Sequence, residues 1–173
     1  CVPAGDPKPK NLSIQCMEPT CDFNGEVRSL PIVVVDEPIY RRLPAFIVAT
    51  VDKFASLPWV GESGAFFDHV DRHDTHGFLG AAQEVGGQKL PGDAKLLPPD
   101  LIIQDELHLI SGPLGTIAGL YETAIDALAT RQLGEQSVRP KIIASTATVR
   151  RAETQIRALF DRETTDIFPP PGL

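Results

Sequence analysis

A short aliphatic run that ends in two carboxylates constrains this chain more than any other feature. Leu-Ile-Ile at 101–103 follows a Pro-Pro-Asp turn and leads into Gln-Asp-Glu-Leu-His at 104–108. A short apolar run between turn residues predicts a buried strand of a parallel sheet. Because open α/β sheets bind ligands beyond the carboxyl ends of their strands, Asp105 is expected to hold Mg²⁺ through water. Glu106 is then expected to orient or deprotonate an attacking water.

A second aliphatic run has the same form. Lys-Ile-Ile-Ala at 141–144 leads into Ser-Thr-Ala-Thr at 145–148. Between the two runs, apolar residues recur at helical spacing from Ile117 to Leu128, which predicts a core-packing helix. A strand, a helix and a strand at this spacing predict a crossover unit that sets both strands side by side in a parallel sheet.

Two further β-branched runs precede these strands. Residues 32–35 and 45–50 are predicted as strands, and a short helix is predicted directly after the second. Thr50 and Lys53 lie at this strand-to-helix junction, where a hydroxyl, backbone N–H groups and an ammonium group suit a nucleic-acid phosphate. Asp52 fits a simpler role as a helix cap, and its charge would repel a phosphate.

Together these segments resemble the DExH-box helicases of superfamily 2. Asp105-Glu106-Leu107-His108 is similar to motif II, and Thr146-Ala147-Thr148 is similar to motif III. The segment from Thr50 to Phe54 resembles the Thr-Pro-x-x-Leu-like turn that contacts the nucleic-acid backbone, with Val51 where proline is common. More narrowly, the sequence from Glu106 to Gly115 resembles that of the large bacterial helicases of DISARM-type phage defence.

The resemblance implies an ATP- and Mg²⁺-dependent motor that acts on nucleic acid, with DNA favoured over RNA. Glu106, Asp105 and His108 are the implied catalytic residues, and Thr146 and Thr148 are expected to link the nucleotide to the strand-moving machinery through His108. The 173 residues contain no Gly-x-x-x-x-Gly-Lys-Ser/Thr loop. We therefore expect the isolated chain to hydrolyse no ATP and to need the remaining helicase lobes of a parent protein as partners.

The expected fold class is α/β, a partial RecA-like parallel sheet flanked by helices, with an N-terminal cysteine-containing loop segment. The helicase core is expected over residues 31–162, with an insertion at about 60–98. Residues 163–173 contain three consecutive prolines and are expected to form an extended linker. The chain begins with cysteine, which is interpreted as the start of an internal piece of a longer protein.

All three cysteines lie in the first 30 residues, among prolines and glycines. Four residues separate Cys16 from Cys21, a spacing found in zinc-binding knuckles. Cys1, Cys16 and Cys21 are therefore candidate Zn²⁺ ligands, with a fourth ligand not apparent from the sequence. Reduced cysteines without any ligand role are the alternative.

Two other classes of function remain open at this point. The first is a non-enzymatic, zinc-containing interaction module in which Asp105 and Glu106 only cap the following helix. The second is a metal-dependent nuclease or hydrolase that combines these carboxylates with His69, His73 and His76. The segment that holds these histidines is more simply interpreted as a solvated loop.

Charge and hydropathy limit where such a protein acts. The net charge is −7, whereas a dedicated nucleic-acid-binding domain is usually basic, so this chain is expected to supply only part of a nucleic-acid site. No apolar run is long enough for a membrane span, and no signal peptide is recognisable at the start. A cytoplasmic location without membrane contact is expected.

Overall fold

The structure is a computed structural model, and it describes residues 12–25, 27–83, 85–110, 113–146, 156–157 and 159–168. The chain divides into two compact units. The N-terminal unit comprises the described residues of Cys1–Thr50 and Ser56–Leu96, and the C-terminal unit comprises those of Val51–Ala55 and Leu97–Leu173. Helices and strands occur together, so the architecture is mixed α/β.

The N-terminal unit is built from short elements. Its α-helix is α1 (Asp36–Arg42), and two 3₁₀ helices follow at Leu57–Trp59 and Gly61–Phe67. Strands β1 (Arg72–Asp74), β2 (Gly77–Leu79) and β3 (Gln88–Lys89) form an antiparallel sheet in the order β2-β1-β3. The buried apolar side chains of this unit are Ala65, Phe67 and Leu79.

Two arginines tie this small sheet together because they donate to backbone carbonyl groups. Arg41 of α1 donates from Nε to the carbonyl oxygen of Phe78 (2.9 Å) and from Nη2 to Asp74 Oδ1 (2.5 Å). Arg72 donates to the carbonyl oxygens of Gly80, Gln83 and Gly86 at 2.5–3.1 Å. Residues 60–83 and 85–96 of the expected insertion, including the histidine segment that was interpreted as a solvated loop, are therefore a folded part of the unit.

The turn between β1 and β2 leaves no room for a side chain at Gly77. Its φ is +133°, and an added Cβ would lie 2.1 Å from the carbonyl oxygen of Arg41. Gly77→Ala is expected to destabilise the N-terminal unit by at least about 2 kcal/mol, through strain and loss of the α1 contact. Hydrogen exchange of the peptide that covers α1, measured by mass spectrometry in the full-length parent protein, should show this as lost protection.

Gly92→Ala is the matched control for that experiment. A Cβ at Gly92 meets nothing within 4 Å, and its backbone lies outside the left-handed region. Its exchange is expected to equal that of the unsubstituted protein. Equal protection of α1 in the two variants would show that the close approach at Gly77 does not hold in solution.

The C-terminal unit contains the strands that flank the long helix. In chain order, its elements are residues 51–55 of α2 (Val51–Ser56), β4 (Leu101–Gln104), a 3₁₀ turn (Leu107–Ile110), α3 (Pro113–Ala129), β5 (Arg131–Leu133), β6 (Gln136–Val138) and β7 (Lys141–Ala144). Strands β5 and β6 form an antiparallel hairpin in a segment expected to be a polar loop.

The predicted pairing of the two aliphatic runs is confirmed. Strands β4 and β7 are parallel, with Leu101 opposite Lys141 and Gln104 opposite Ala144. Helix α3 provides the crossover between them. It begins at Pro113, four residues before the apolar spacing that starts at Ile117, and proline is compatible with the first helical turn.

The rest of the expected parallel sheet is not present in the described residues, where β4 and β7 are the one parallel pair. Residues 32–35 and 45–50, predicted as strands, form neither strand nor helix. A strand needs a hydrogen-bonded partner, and these runs have none among the described residues. Their side chains stay in solvent: Phe46 is 73% and Val48 81% exposed.

One network of charged side chains, centred on Asp126, connects separate segments of the C-terminal unit. Asp126 of α3 accepts hydrogen bonds from Arg139 (2.7 Å) and Arg162 (2.6 Å). Arg139 also donates to the carbonyl oxygens of Phe160 and Asp161, and Arg162 donates to that of Pro140. Asp126 therefore joins α3 to the loop before β7 and to the segment that follows the helical residue Phe160.

Candidate functional site

The backbone continues to connect the two parallel strands beyond their ends. The N–H of Ser145 donates to the carbonyl oxygen of Gln104 (2.9 Å), and the N–H of Leu107 donates to the carbonyl oxygen of Ser145 (2.8 Å). This ladder fixes Asp105 and Glu106 beside the residues that follow β7. The two carboxylates predicted from the sequence thus lie at the carboxyl ends of both strands.

Asp105 is held by contacts that fall on one of its two oxygens. Oδ1 accepts a hydrogen bond from the Ser145 hydroxyl and another from the N–H of Glu106 (3.0 Å). The side chain is exposed. An exposed carboxylate with an orientation fixed by a hydroxyl and an amide is the kind of ligand that Mg²⁺ takes through its water shell. The residues present therefore fit the predicted magnesium role of Asp105.

Glu106 has an unusual backbone conformation for a residue with a side chain. Its φ is +53°, in the left-handed region. This conformation is uncommon for residues other than glycine, and such strain is concentrated at functional sites. The Glu106 side chain is 54% exposed, and its Oε2 lies 3.1 Å from Nδ1 of His108. The left-handed turn thus directs a carboxylate into solvent while an imidazole supports it.

The predicted link from His108 to the hydroxyls of Thr146 and Thr148 stays a prediction, but a different hydroxyl of the segment that follows β7 contacts the acidic pair. The residue of that segment that contacts the acidic pair is Ser145, through Asp105 and through a longer contact to the N–H of Glu106 (3.4 Å). Thr146, half-buried, is the next residue, and Thr148 lies outside the described residues. Ser145 was missed because the motif resemblance begins one residue later, although the sequence shows a hydroxyl at both positions.

The predicted nucleic-acid contacts lie around α2. Thr50 immediately precedes the helix and is exposed, and Lys53 is an exposed residue within it. Asp52 occupies the first turn. Their role as phosphate contacts stays a prediction, since α2 has only six residues and its first turn carries a carboxylate.

The histidine cluster does not form a metal site. His73 lies in β1 opposite Phe78, and His69 and His76 are exposed. Within the part of the chain that the structure describes, no group of three or more His, Cys, Asp or Glu side chains is arranged to hold a metal ion. The metal-dependent nuclease alternative therefore receives no support from the geometry around these residues.

Cys16 and Cys21 are brought together, both as free thiols of intermediate exposure. The N–H of Phe23 donates to Cys21 Sγ (3.4 Å). Hydrogen bonding to the backbone of Glu18 and to the Cys21 side chain lowers the pKa of the Cys16 thiol. Cys1, the third predicted ligand, lies outside the described residues.

A comparison with known proteins found a bacterial protein of similar sequence. Over 181 aligned residues, 42% are identical to a protein of Bacillus paralicheniformis described as DISARM protein DrmA. The match covers 99% of this chain. Over almost its whole length, this chain is similar to DISARM protein DrmA.

The chain spans 16% of the length of that DrmA. It therefore corresponds to one segment of a much larger protein. No protein-family model matches the chain. Among the helices that the structure describes, none has the length and apolar character needed to cross a membrane.

Proposed function

We propose that this chain is part of an ATP-dependent DNA helicase or translocase of DISARM-type phage defence. The observation that carries the proposal is the in-register parallel pairing of β4 with β7, which brings Ser145 against Asp105 beside the strained Glu106. In this reading, the two strands belong to a larger RecA-like sheet. The 42% identity to DISARM protein DrmA supports the biological setting.

The residues of the site have separate tasks in such a motor. Asp105 holds the water shell of the Mg²⁺ that accompanies ATP, and the metal supplies charge neutralisation for the phosphates. Glu106 accepts a proton from, or orients, the attacking water. His108, 3.1 Å from Glu106, keeps that carboxylate in position. Ser145 holds Asp105 and connects it to β7.

Supporting groups have to come from elsewhere in the parent protein. Phosphoryl transfer needs backbone N–H groups and cations around the phosphates, and this sequence contains no Walker A loop. We propose that the remaining lobes of the parent supply these groups and most of the DNA-binding surface. The net charge of −7 agrees with that division of tasks.

The test is ATP hydrolysis by the purified full-length parent protein, with no nucleic acid, with single- or double-stranded DNA, and with RNA of the same sequence. Mg²⁺-dependent turnover that rises with DNA supports the proposal. The absence of turnover under all conditions, or turnover without any response to nucleic acid, would contradict it. Stimulation by RNA alone would retain the motor but reject DNA as its track.

Ser145→Ala tests whether the hydroxyl on Asp105 contributes to that turnover. The backbone bonds of residue 145 remain in the variant, so the strands stay paired. Loss of a hydrogen bond to an exposed carboxylate is expected to lower kcat about fivefold, with a smaller change in KM for ATP.

Ser137→Ala, an exposed serine of β6, is the matched control for Ser145→Ala. Its kcat is expected to equal that of the unsubstituted protein. If both serine variants turn over ATP at the same rate, the Ser145–Asp105 contact has no part in catalysis.

A further inference from the structure

The side of helix α3 that faces solvent carries no charged residue. Among residues 119–129, the exposed side chains are those of Leu120, Thr123, Ala124, Ala127 and Leu128. At 3.6 residues per turn, these five positions form one continuous stripe over about 140° of the helix circumference, which we call the outer stripe. Both charged residues of this stretch, Glu122 and Asp126, lie on the opposite, half-buried side. The polarity of α3 is thus the reverse of that of an ordinary surface helix, whose charged residues face solvent.

The outer stripe also has little need of water. Leu120 is 71% exposed and Leu128 is 46% exposed. The one polar side chain of the stripe is that of Thr123, whose hydroxyl donates to the carbonyl oxygen of Gly119 one turn earlier (2.8 Å). Its donor is therefore satisfied within the helix. Single exposed leucines are ordinary in folded proteins, but a continuous stripe without charge indicates an interaction surface.

The other sides of α3 already have neighbours within the C-terminal unit. Ala129 is fully buried, and a Cβ at Gly119 would lie 3.7 Å from Cδ1 of Leu159. Asp126 accepts hydrogen bonds from Arg139 and Arg162. These sides of the helix are therefore committed to contacts inside the unit, and the outer stripe is the side that remains for a further neighbour.

We propose that an apolar helix of the parent protein, from a segment outside these 173 residues, covers the outer stripe. The chain spans 16% of the length of the DrmA relative, so most of a protein of that size lies beyond it. Permanent interfaces are the more apolar ones, whereas interfaces with transient partners are about as polar as the rest of the surface. A covalently joined segment is a permanent neighbour. Ala124 and Ala127, which lie between two leucines, let a second helix approach closely.

Leu120→Cys in the purified full-length parent protein tests whether the outer stripe is covered. Its labelling by a maleimide, located by peptide mapping, is expected to be at least about tenfold slower than that of Glu135→Cys, a control at an exposed position of the same unit. In urea the two cysteines should react equally fast. Equal rates in the folded protein overturn the proposal. The measurement does not involve ATP, so its result is separate from that of the test of Asp105 and Glu106.

Leu120→Glu and Leu133→Glu make the same substitution at two exposed leucines of the C-terminal unit, of which only Leu120 belongs to the outer stripe. Leu133, in β5, is 57% exposed. In the full-length parent protein, Leu120→Glu is expected to speed hydrogen exchange of α3 by at least about tenfold, because it places a charge in an apolar interface. Leu133→Glu is expected to leave this exchange unchanged. Equal exchange of α3 in the two variants overturns the proposal.

Photo-crosslinking identifies the segment that covers the outer stripe. A diazirine amino acid of the size of leucine replaces Leu128 in the full-length parent protein, and mass spectrometry locates the peptide that it reaches on illumination. A peptide of the same chain from outside these 173 residues is the expected result. A peptide from within them, or a link between two copies of the protein, overturns the proposal.

Discussion

Glu106→Gln in the full-length parent protein is expected to lower DNA-stimulated ATP turnover by about a hundredfold or more, on the order of 3 kcal/mol of barrier. Glutamine keeps the length and shape of the side chain, so the left-handed turn and the approach of His108 remain possible. What it removes is the negative charge and the proton-accepting oxygen. The loss should therefore appear in kcat, while ATP binding measured with a fluorescent analogue stays near that of the unsubstituted protein.

Glu135→Gln is the control for this experiment. Glu135 is an exposed residue in the β5–β6 turn of the same unit, and its substitution makes the same change in net charge. Its turnover is expected to stay within about twofold of the unsubstituted rate, because a solvated surface carboxylate away from the site stabilises no transition state. Glu106→Gln turnover as high as that of Glu135→Gln would remove Glu106 from the mechanism.

Asp126→Ala is expected to destabilise the C-terminal unit by about 2–3 kcal/mol, because it leaves two guanidinium groups without their carboxylate. The Asp126 side chain is 15% exposed, and Arg139 and Arg162 both donate to it. Hydrogen exchange in the full-length protein should show the loss at α3 and at residues 159–162, which this network connects.

Asp161→Ala is a close control for that substitution. Asp161 is also an acidic partner of Arg139, at 3.5 Å, but its side chain is 97% exposed. A solvated pair of this kind contributes within about 0.5 kcal/mol. Similar losses of protection in the two variants would mean that burial of Asp126 does not matter and that the network carries no special stability.

The same network makes the stability of the C-terminal unit depend on pH. Burial opposes ionisation of Asp126, but hydrogen bonds from Arg162 and Arg139 outweigh it and lower the pKa of this carboxyl. Because the pKa is lower in the folded state, the contribution of Asp126 to stability is complete above the ordinary pKa of 3.8. It is lost as the pH falls through the pKa of the folded state. Acidification below about pH 4 is therefore expected to reduce protection of α3, but much less in Asp126→Ala.

Glu122, one turn earlier on α3, titrates in the opposite sense. Burial and the nearby charge of Asp126 raise the pKa of Glu122 to about 6. Folding favours the protonated form of Glu122. Its contribution to stability is therefore present below the ordinary pKa of 4.5 and is lost as the pH rises through about 6. Variants of Asp126 are therefore best compared above pH 7, where both carboxylates are ionised.

The sequence was sufficient to predict the centre of the site. Two aliphatic runs, each ending in polar residues and separated by a helix, predict adjacent parallel strands, and β4 and β7 are such strands. The register decides which hydroxyl contacts Asp105. The side chains of successive residues in an extended chain point to opposite sides. Whether Ser145 or Thr146 faces Asp105 therefore depends on backbone detail that the amino-acid sequence does not show.

Other parts of the fold were not predictable, for physical reasons that differ. Residues 45–50 have the composition of a strand, but pairing depends on a partner rather than on composition. Strands β1 and β2 are only three residues long, β1 carries three polar side chains and β2 begins with glycine, so neither length nor alternation indicates them. Their sheet depends on carbonyl groups held by Arg41 and Arg72, which are contacts distant in sequence.

Helix α1 illustrates a third reason why part of the fold could not be predicted from the sequence. Residues 32–35 were predicted as a strand, yet a helix begins directly after them at Asp36. Pro38 lies in the first turn of this helix, where its missing N–H would have had no helical partner. The left-handed conformation of Glu106 is a similar case, because nothing in the residue type favours it. Such positions are found only once the surrounding contacts are known.

The β5–β6 hairpin also offers a place to attach a probe. Its two-residue turn contains Gly134 at φ +63°, and a Cβ there meets nothing within 4 Å. All three native cysteines lie within the first 21 residues, far in sequence from a cysteine introduced at Glu135. A fluorescent dye at that turn would report movement of the segment between α3 and β7 during ATP turnover, while Asp105 and Glu106 stay unmodified.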